Sequence, residues 1–241
     1  MSRWSVLFVL CGAAAGLGAL AAFVVIERRS ADPLVRLGIL RSAPLLRANL
    51  GALLFLASFA GFQFLVTLYL QELRGWNALQ TGLAMLIVGI DTILAPTLTT
   101  WLVGRYGHGR VLFGGLLLAG LAYALFLPVG PDWRYAAMLP TMLLLGLAFS
   151  LAYGPLTMAA TEGVDEPEHG LASGLLYTSI QFGTALGISA VTAVAAGRSG
   201  LDLAAIRAGL VVPVAAAVLA AAITAFGLTR RPVPAPARTA V

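Results

Sequence analysis

Residues 80–103 read QTGLAMLIVGIDTILAPTLTTWLV and carry one charged side chain, that of Asp91. A helix needs about 20 mostly apolar residues to cross the hydrocarbon core of a bilayer. This stretch is long enough and apolar enough to do so. It therefore predicts a transmembrane helix with a carboxylate near its centre.

Six further stretches of the same kind occur along the 241 residues, at about 5–26, 49–70, 111–129, 135–158, 171–196 and 207–228. Charged residues make up only 10% of the chain, whereas a soluble domain holds roughly 25%. The composition therefore predicts an all-α integral membrane protein with about seven transmembrane helices. The fifteen basic residues are all Arg and are scattered between the apolar stretches. They form no basic patch, so we expect no nucleic-acid partner.

The two ends of the chain carry weaker signals. The first stretch also fits a secretory signal peptide, because Arg3 precedes it and Ala19-Leu20-Ala21 resembles a cleavage site. The apolar residues continue to Ile26, which is long for a signal peptide and favours a transmembrane helix. Residues 229–241 are rich in Pro and Ala and predict a disordered tail.

The positions of the arginines predict the orientation of the helices. Ten of the fifteen lie in segments 27–47, 104–110 and 229–241, which alternating spans place on one side of the membrane. Because cytoplasmic loops are enriched in Lys and Arg, this side is predicted to face the cytoplasm. The membrane itself is predicted to be the plasma membrane. Segment 27–47 is then a cytoplasmic basic amphipathic linker.

Several short motifs follow one another along the chain. Residues 68–71 read LYLQ and 75–82 read GWNALQTG; residues 104–112 read GRYGHGRVL; residues 169–174 read HGLASG and 181–187 read QFGTALG. In this order and spacing they resemble motifs of the fourteen-helix drug:proton antiporters of the major facilitator superfamily. The family versions are a YLQ…G-x-S-x-L-x-A-G passage, a second-half D-R-x-G-x-R-R-x-L cytoplasmic loop, and a G-x-A-S-G…Q-x-G-x-A-x-G run.

The resemblance implies that residues 1–26 form the second of two extra central helices and that residues 48–228 form the C-terminal six-helix half of such a transporter. It implies proton-coupled export of drug-like or cationic amphiphilic molecules, without a cofactor, a metal or enzymatic activity. A missing N-terminal half or a second copy would complete the transport path. Two alternatives stay open: a truncated or split-gene fragment without transport of its own, and an exporter of a sugar, lipid precursor or secondary metabolite.

The loop motif supplies candidates for a cytoplasmic gate. Arg105, Gly107 and Arg110 match the family pattern. Gly104 stands where the family has an acidic residue, and Gly109 stands where it has a basic one. These departures weaken the expectation of a gate latched by charge.

Asp91 is the leading candidate for a functional residue. An Asp at the centre of a transmembrane helix costs about 2.5–3.5 kcal/mol on insertion scales, so it should face the bundle interior or a wet cavity. There it would carry the coupled proton or pair with a cationic substrate. The alternative is a structural acid bonded to Thr92 or to a neighbouring helix. Pro96 removes an intrahelical hydrogen bond and should kink the helix beside Asp91.

The remaining candidates are polar or small residues within the predicted helices. Five of them are candidates to line a cavity: Gln63, Gln71, Tyr153, Tyr177 and Gln181. Tyr177 and Gln181 lie four residues apart on one helix face, where they would line a cavity or bond to another helix. Gly174, Gly183 and Gly187 form a small-residue face that permits close helix packing.

Overall fold

The computed structural model describes residues 42–196 and 202–229, together with Gly18, Ala22 and Val25, which are helical. Six helices in these ranges are long and apolar enough to cross a membrane. The chain divides into two units after Arg41, and the helix bundle is the second unit. Most of the predicted first helix, linker and tail lie outside the described residues.

The six helices are α1 (Ala43–Leu73), α2 (Ala78–Tyr106), α3 (His108–Phe126), α4 (Tyr135–Thr161), α5 (His169–Ala196) and α6 (Leu203–Thr229). They correspond to the last six predicted spans, and the prediction of an all-α membrane protein is confirmed. α1 begins earlier than the predicted residue 49, so residues 43–47 of the predicted linker are helical. Pro44 lies in its first turn, where the missing N–H costs no intrahelical hydrogen bond.

α1 is the central helix of the bundle. It packs against α4, α5 and α6, while α3 packs against α4 and α6, and α2 packs mainly against α4. The core between these helices is filled by large, fully buried side chains, among them Phe55, Phe62, Tyr123, Phe126 and Met138. Helices in lipid gain no hydrophobic driving force from associating, so van der Waals packing of this kind holds the bundle together.

Glycines allow the closest helix crossing, between α1 and α5. A Cβ on Gly183 or on Gly187 would collide with the backbone of α1, which for Gly187 is that of Ala57. On the α1 side, a Cβ on Gly61 would lie 3.2 Å from the Gly187 carbonyl oxygen. Gly174, at the start of the same small-residue face, has no neighbouring atom within 4 Å of its Cβ position. The close crossing therefore lies in the second half of that face.

The loop between α3 and α4 is held by side chains of two other helices. The hydroxyl of Tyr69 in α1 donates to the Gly130 carbonyl at 2.7 Å. Arg74, just after α1, donates to two further carbonyls of the loop at 2.9 and 2.8 Å. Arg207 in α6 donates through Nε and Nη2 to the Val129 carbonyl at 2.9 and 2.7 Å. We call this the clamped loop; it joins α1, α3, α4 and α6 at one end of the bundle.

Candidate functional site

The outer surface of the bundle has two chemically different faces. Across the middle of α3 and α6 every exposed position is apolar or glycine: Gly114, Leu117, Leu121, Leu125, Val211, Ala215, Val218, Leu219, Ala222 and Phe226. Such a surface suits lipid tails. The exposed positions of α5 include hydroxyl, phenol and carboxamide groups, which in a membrane belong against water or protein.

The polar face of α5 centres on Tyr177 and Gln181. Tyr177 is 62% exposed and Gln181 is also exposed, and neither side chain bonds to another described residue. Ser189 and Thr192 follow on the exposed surface of the helix, with their hydroxyls bonded to backbone carbonyls one turn earlier at 2.8 and 2.7 Å. A carboxamide without a partner is costly against lipid tails. This face therefore suits a water-filled cavity or a second polar surface.

Half-buried aromatic rings form a row between α1 and α4. The rings of Phe59 and Phe149 lie 4.6 Å apart, and those of Phe149 and Tyr153 stack at 5.2 Å with 12° between their planes. Gln63 lies one turn after Phe59 and is also half-exposed. Since α1 and α4 are antiparallel, Gln63 and Tyr153 flank the Phe59–Phe149 pair on opposite sides. We call these four residues, the three aromatic ones together with Gln63, the aromatic row.

Asp91 lies where the winding of α2 changes. A 3₁₀ turn, Leu86–Ile90, precedes it, and a π-helical turn, Ala95–Thr99, begins four residues later and contains Pro96. Irregular turns of this kind are frequent at functional sites of membrane and soluble proteins. Asp91 is half-buried, and its Oδ1 accepts a long hydrogen bond of 3.4 Å from the Thr92 hydroxyl. No basic side chain among the described residues forms an ion pair with it.

Two contacts with α4 fix the part of α2 that carries Asp91. Before it, a Cβ on Gly146 would lie 2.5 Å from the Val88 carbonyl oxygen, so the two backbones touch only because residue 146 is a glycine. After it, the buried hydroxyl of Thr99 bonds to the hydroxyl of Ser150 at 2.8 Å and to its carbonyl at 3.0 Å. These two contacts hold Asp91 at a defined position relative to α4, although its own side chain makes few contacts.

The α2–α3 connection, where the loop motif predicts a gate, lies at the opposite end of the bundle from the clamped loop. Gly107 has φ 81°, a backbone conformation that favours glycine. The guanidinium of Arg105 lies 5.7 Å from the centre of the following tyrosine ring. His108 Nε2 lies 2.9 Å from Glu162 Oε2 and joins this connection to the end of α4. Arg110 lines a cavity at this end of the bundle.

The family follows from a match along most of the chain. Residues 1–188 match the family model of the Major Facilitator Superfamily. The chain belongs to the major facilitator superfamily. The resemblance seen in the motifs is therefore confirmed, and the chain is a multi-pass membrane protein of a family of transporters.

Relatives within the major facilitator superfamily carry names that refer to resistance and export. The chain is 36% identical over 170 residues to the lincomycin resistance protein of Streptomyces lincolnensis and 33% identical over 208 residues to the cephamycin export protein CmcT of Amycolatopsis lactamdurans. It is 29% identical over 198 residues to the tetracenomycin C resistance and export protein of Streptomyces glaucescens. These matches cover 70%, 82% and 82% of this chain but 35%, 41% and 37% of the relatives. The chain thus spans between about a third and two fifths of the length of these proteins.

The structure brings some of the predicted site residues together and keeps others apart. Tyr177 and Gln181 share the polar face of α5, while Gln63 and Tyr153 lie at opposite ends of the aromatic row. Asp91 lies on α2, which packs mainly against α4, whereas α5 packs mainly against α1 and α6. Gln71 lies in the last turn of α1, at the end of the bundle that carries the clamped loop.

Phe59 and Phe149 were not among the predicted site residues. One signal in the sequence indicates them, since each stands four residues before a polar candidate: Phe59 before Gln63 and Phe149 before Tyr153. Residues four apart share a helix face. The faces that carry the two polar groups therefore carry the two phenylalanines as well.

Proposed function

We propose that this chain forms half of an exporter that moves small drug-like or cationic amphiphilic molecules across the plasma membrane in exchange for protons. The contrast between the two faces of the bundle carries the proposal. Alternating access by rocking requires a bundle with one face against lipid and another against the transport path. The apolar surfaces of α3 and α6 suit lipid, and we assign the aromatic row and the polar face of α5 to the path.

The chemistry of this assigned path favours flat, amphiphilic cargo. The rings of Phe59, Phe149 and Tyr153 offer surfaces for stacking, which contributes about 0.5–1.5 kcal/mol per aromatic pair beyond simple burial. The Gln181 carboxamide and the Tyr177 hydroxyl offer hydrogen bonds on the polar face of α5. The relatives named for lincomycin, cephamycin and tetracenomycin C favour one of the alternatives as well, an antibiotic-like secondary metabolite as cargo.

In this proposal Asp91 carries the exchanged proton or pairs with the positive charge of the cargo. Three observations support the assignment. The carboxylate lies within a membrane span, the helix winding is irregular on both sides of it, and among the described residues its side chain bonds only to the neighbouring Thr92. Intramembrane carboxylates are expensive and most often lie on ion or substrate pathways.

The other predicted parts are proposed to serve the same cycle. Arg105, Gly107 and Arg110 would gate the path on the cytoplasmic side, and the Gly183–Gly187 crossing would keep α1 and α5 together during rocking. Residues 1–26 are proposed as an extra central helix and residues 48–228 as the C-terminal half.

A second bundle must complete the path, and its source can be tested. We expect no proton-driven export of a cationic dye from vesicles that contain the purified chain alone. Fusion to the N-terminal half of a relative such as the cephamycin export protein should restore export. Crosslinked dimers that transport without the fusion would assign the second bundle to another copy. Export by a monomer would contradict the proposal, and an inactive fusion that folds would favour the fragment alternative.

The orientation can be tested by labelling single cysteines in a Cys11→Ser background in whole cells. A cysteine at Asp132, within the clamped loop, should react with an impermeant thiol reagent because that loop is predicted to lie outside. Cysteines at Glu166 or within residues 27–41 should react only after the cells are made permeable. The opposite pattern would overturn the assigned orientation, and with it the cytoplasmic gate.

A further inference from the structure

A cavity of about 490 Å³ lies at the end of the bundle that carries the α2–α3 connection. Two residues of the proposed gate, Gly107 and Arg110, line it, but the cavity itself is not part of the proposed transport path. α1, α3, α4 and α6 form its walls, with Leu112 and Leu156 among its apolar lining. Its charged or titratable lining residues are Arg47, Arg110, His108, Glu162 and Tyr106.

Positive charge is in excess in this cavity. The carboxylate of Glu162 lies 2.9 Å from His108, so it already has a partner. Arg47 is half-buried, and it makes no hydrogen bond or ion pair with any residue that the structure describes. Gly227 leaves room beside it, since a Cβ at residue 227 would lie 3.4 Å from Arg47 Nε. A partly buried guanidinium without a counter-charge is costly, and its planar fork fits phosphate oxygens.

An apolar groove on the outside of the bundle leads to the same arginine. The groove lies between α1 and α6, and its lining includes Leu46, Leu50, Ala222 and Ile223 together with Arg47. Leu46 is 53% exposed, and the groove continues the apolar face of α6. The charged cavity and the groove therefore meet at Arg47, and Ile223 lines both.

We propose that the cavity and the groove together bind one anionic phospholipid, with its phosphate on Arg47 and Arg110 and an acyl chain in the groove. The excess positive charge selects an anionic head group, and the apolar groove selects a lipid over a soluble phosphate. The arginine distribution predicts that this end of the bundle is cytoplasmic. Cytoplasmic leaflets are rich in anionic lipid, and basic pockets between helices on that side are suited to their head groups.

Lipid retention by the purified full chain tests this site. Native mass spectrometry in detergent would compare phosphatidylglycerol with phosphatidylcholine of the same acyl chains. We expect phosphatidylglycerol to bind at least about tenfold more tightly, as one charge-assisted contact would give. Arg47→Gln should reduce this preference by several-fold, because it removes one of the two guanidinium groups that favour a net negative head group, and it should weaken phosphatidylcholine binding less. Arg105→Gln is the matched control, because Arg105 lies at the same end outside the cavity, and it should keep the preference.

A second variant tests the groove without changing the charge. Ala222→Trp should fill the groove and weaken binding of long-chain phosphatidylglycerol by about tenfold, with Arg47 intact. This variant tests the lipid site even if Arg47→Gln folds poorly. Glycerol phosphate should compete only weakly. Equal retention of the two lipids by the unmodified chain, or an unchanged preference in Arg47→Gln, would overturn the proposal. So would glycerol phosphate binding as tightly as the lipid, normal lipid binding by Ala222→Trp, or crosslinks showing residues 1–41 in the groove in place of lipid.

Discussion

Asp91→Asn should lower the export of cationic cargo roughly 10- to 100-fold in a complete transporter that carries this half. Asn keeps the size of the side chain but removes its charge and its titration. A charge-assisted hydrogen bond contributes about 1.5–3 kcal/mol, which corresponds to this range of affinity. Folding should survive, because an uncharged amide costs less to bury than a carboxylate.

Two comparisons separate the roles open to Asp91. If the carboxylate pairs with cargo, neutral cargo should be exported almost normally by Asp91→Asn. If it carries the exchanged proton, all cargo should suffer and the pH dependence of export should flatten. Asp91→Glu should retain part of the activity in either case, and Thr92→Val is the matched control that removes only the neighbouring hydroxyl. Normal export per folded molecule in Asp91→Asn would show that the acid is structural.

Gly187→Ala should destabilise the bundle by about 1–3 kcal/mol, the usual cost of adding a methyl group to a tight contact. The new Cβ would collide with the backbone of Ala57, which cannot move aside as a flexible side chain would. The melting temperature and folded yield of the purified chain in detergent measure the effect.

Gly174→Ala is the control for this substitution on the same helix. It makes the same chemical change where no atom lies within 4 Å of the new Cβ. It should be neutral or stabilising by up to about 1 kcal/mol, because Ala has the higher helix propensity. Equal losses in the two variants would show that the α1–α5 crossing is not the cause.

The helices could be predicted from the sequence because bilayer thickness sets the length of an apolar stretch. The largest difference is at the start of α1, which begins at Ala43. Arg47 interrupts the apolar pattern there and so indicates a loop. In the structure Arg47 lies in the helix and borders a cavity, which a hydropathy pattern does not reveal.

The arrangement of the site could be predicted only in part. Asp91 stands out because any charge in an apolar span does. The aromatic row does not stand out, because a phenylalanine is equally at home against lipid, in the core or in a cavity. Only the rotation of α1 and α4 about their axes brings Phe59 and Phe149 together. In the same way, Gly174 and Gly187 look alike in the sequence, and only the path of α1 makes one of them a contact.

The clamped loop has a consequence for how deformation is distributed in the bundle. Tyr69, Arg74 and Arg207 bind neighbouring carbonyls of one loop. These hydrogen bonds join α1, α3, α4 and α6 at one end and oppose sliding of these helices past one another. α2 has no part in these hydrogen bonds and rests mainly on α4, with 3₁₀ and π turns that lower its own bending stiffness. Elastic strain would therefore collect in α2. A small rotation of α2 about its contact at Gly146 would change the surroundings of Asp91 while the other helices kept their shape.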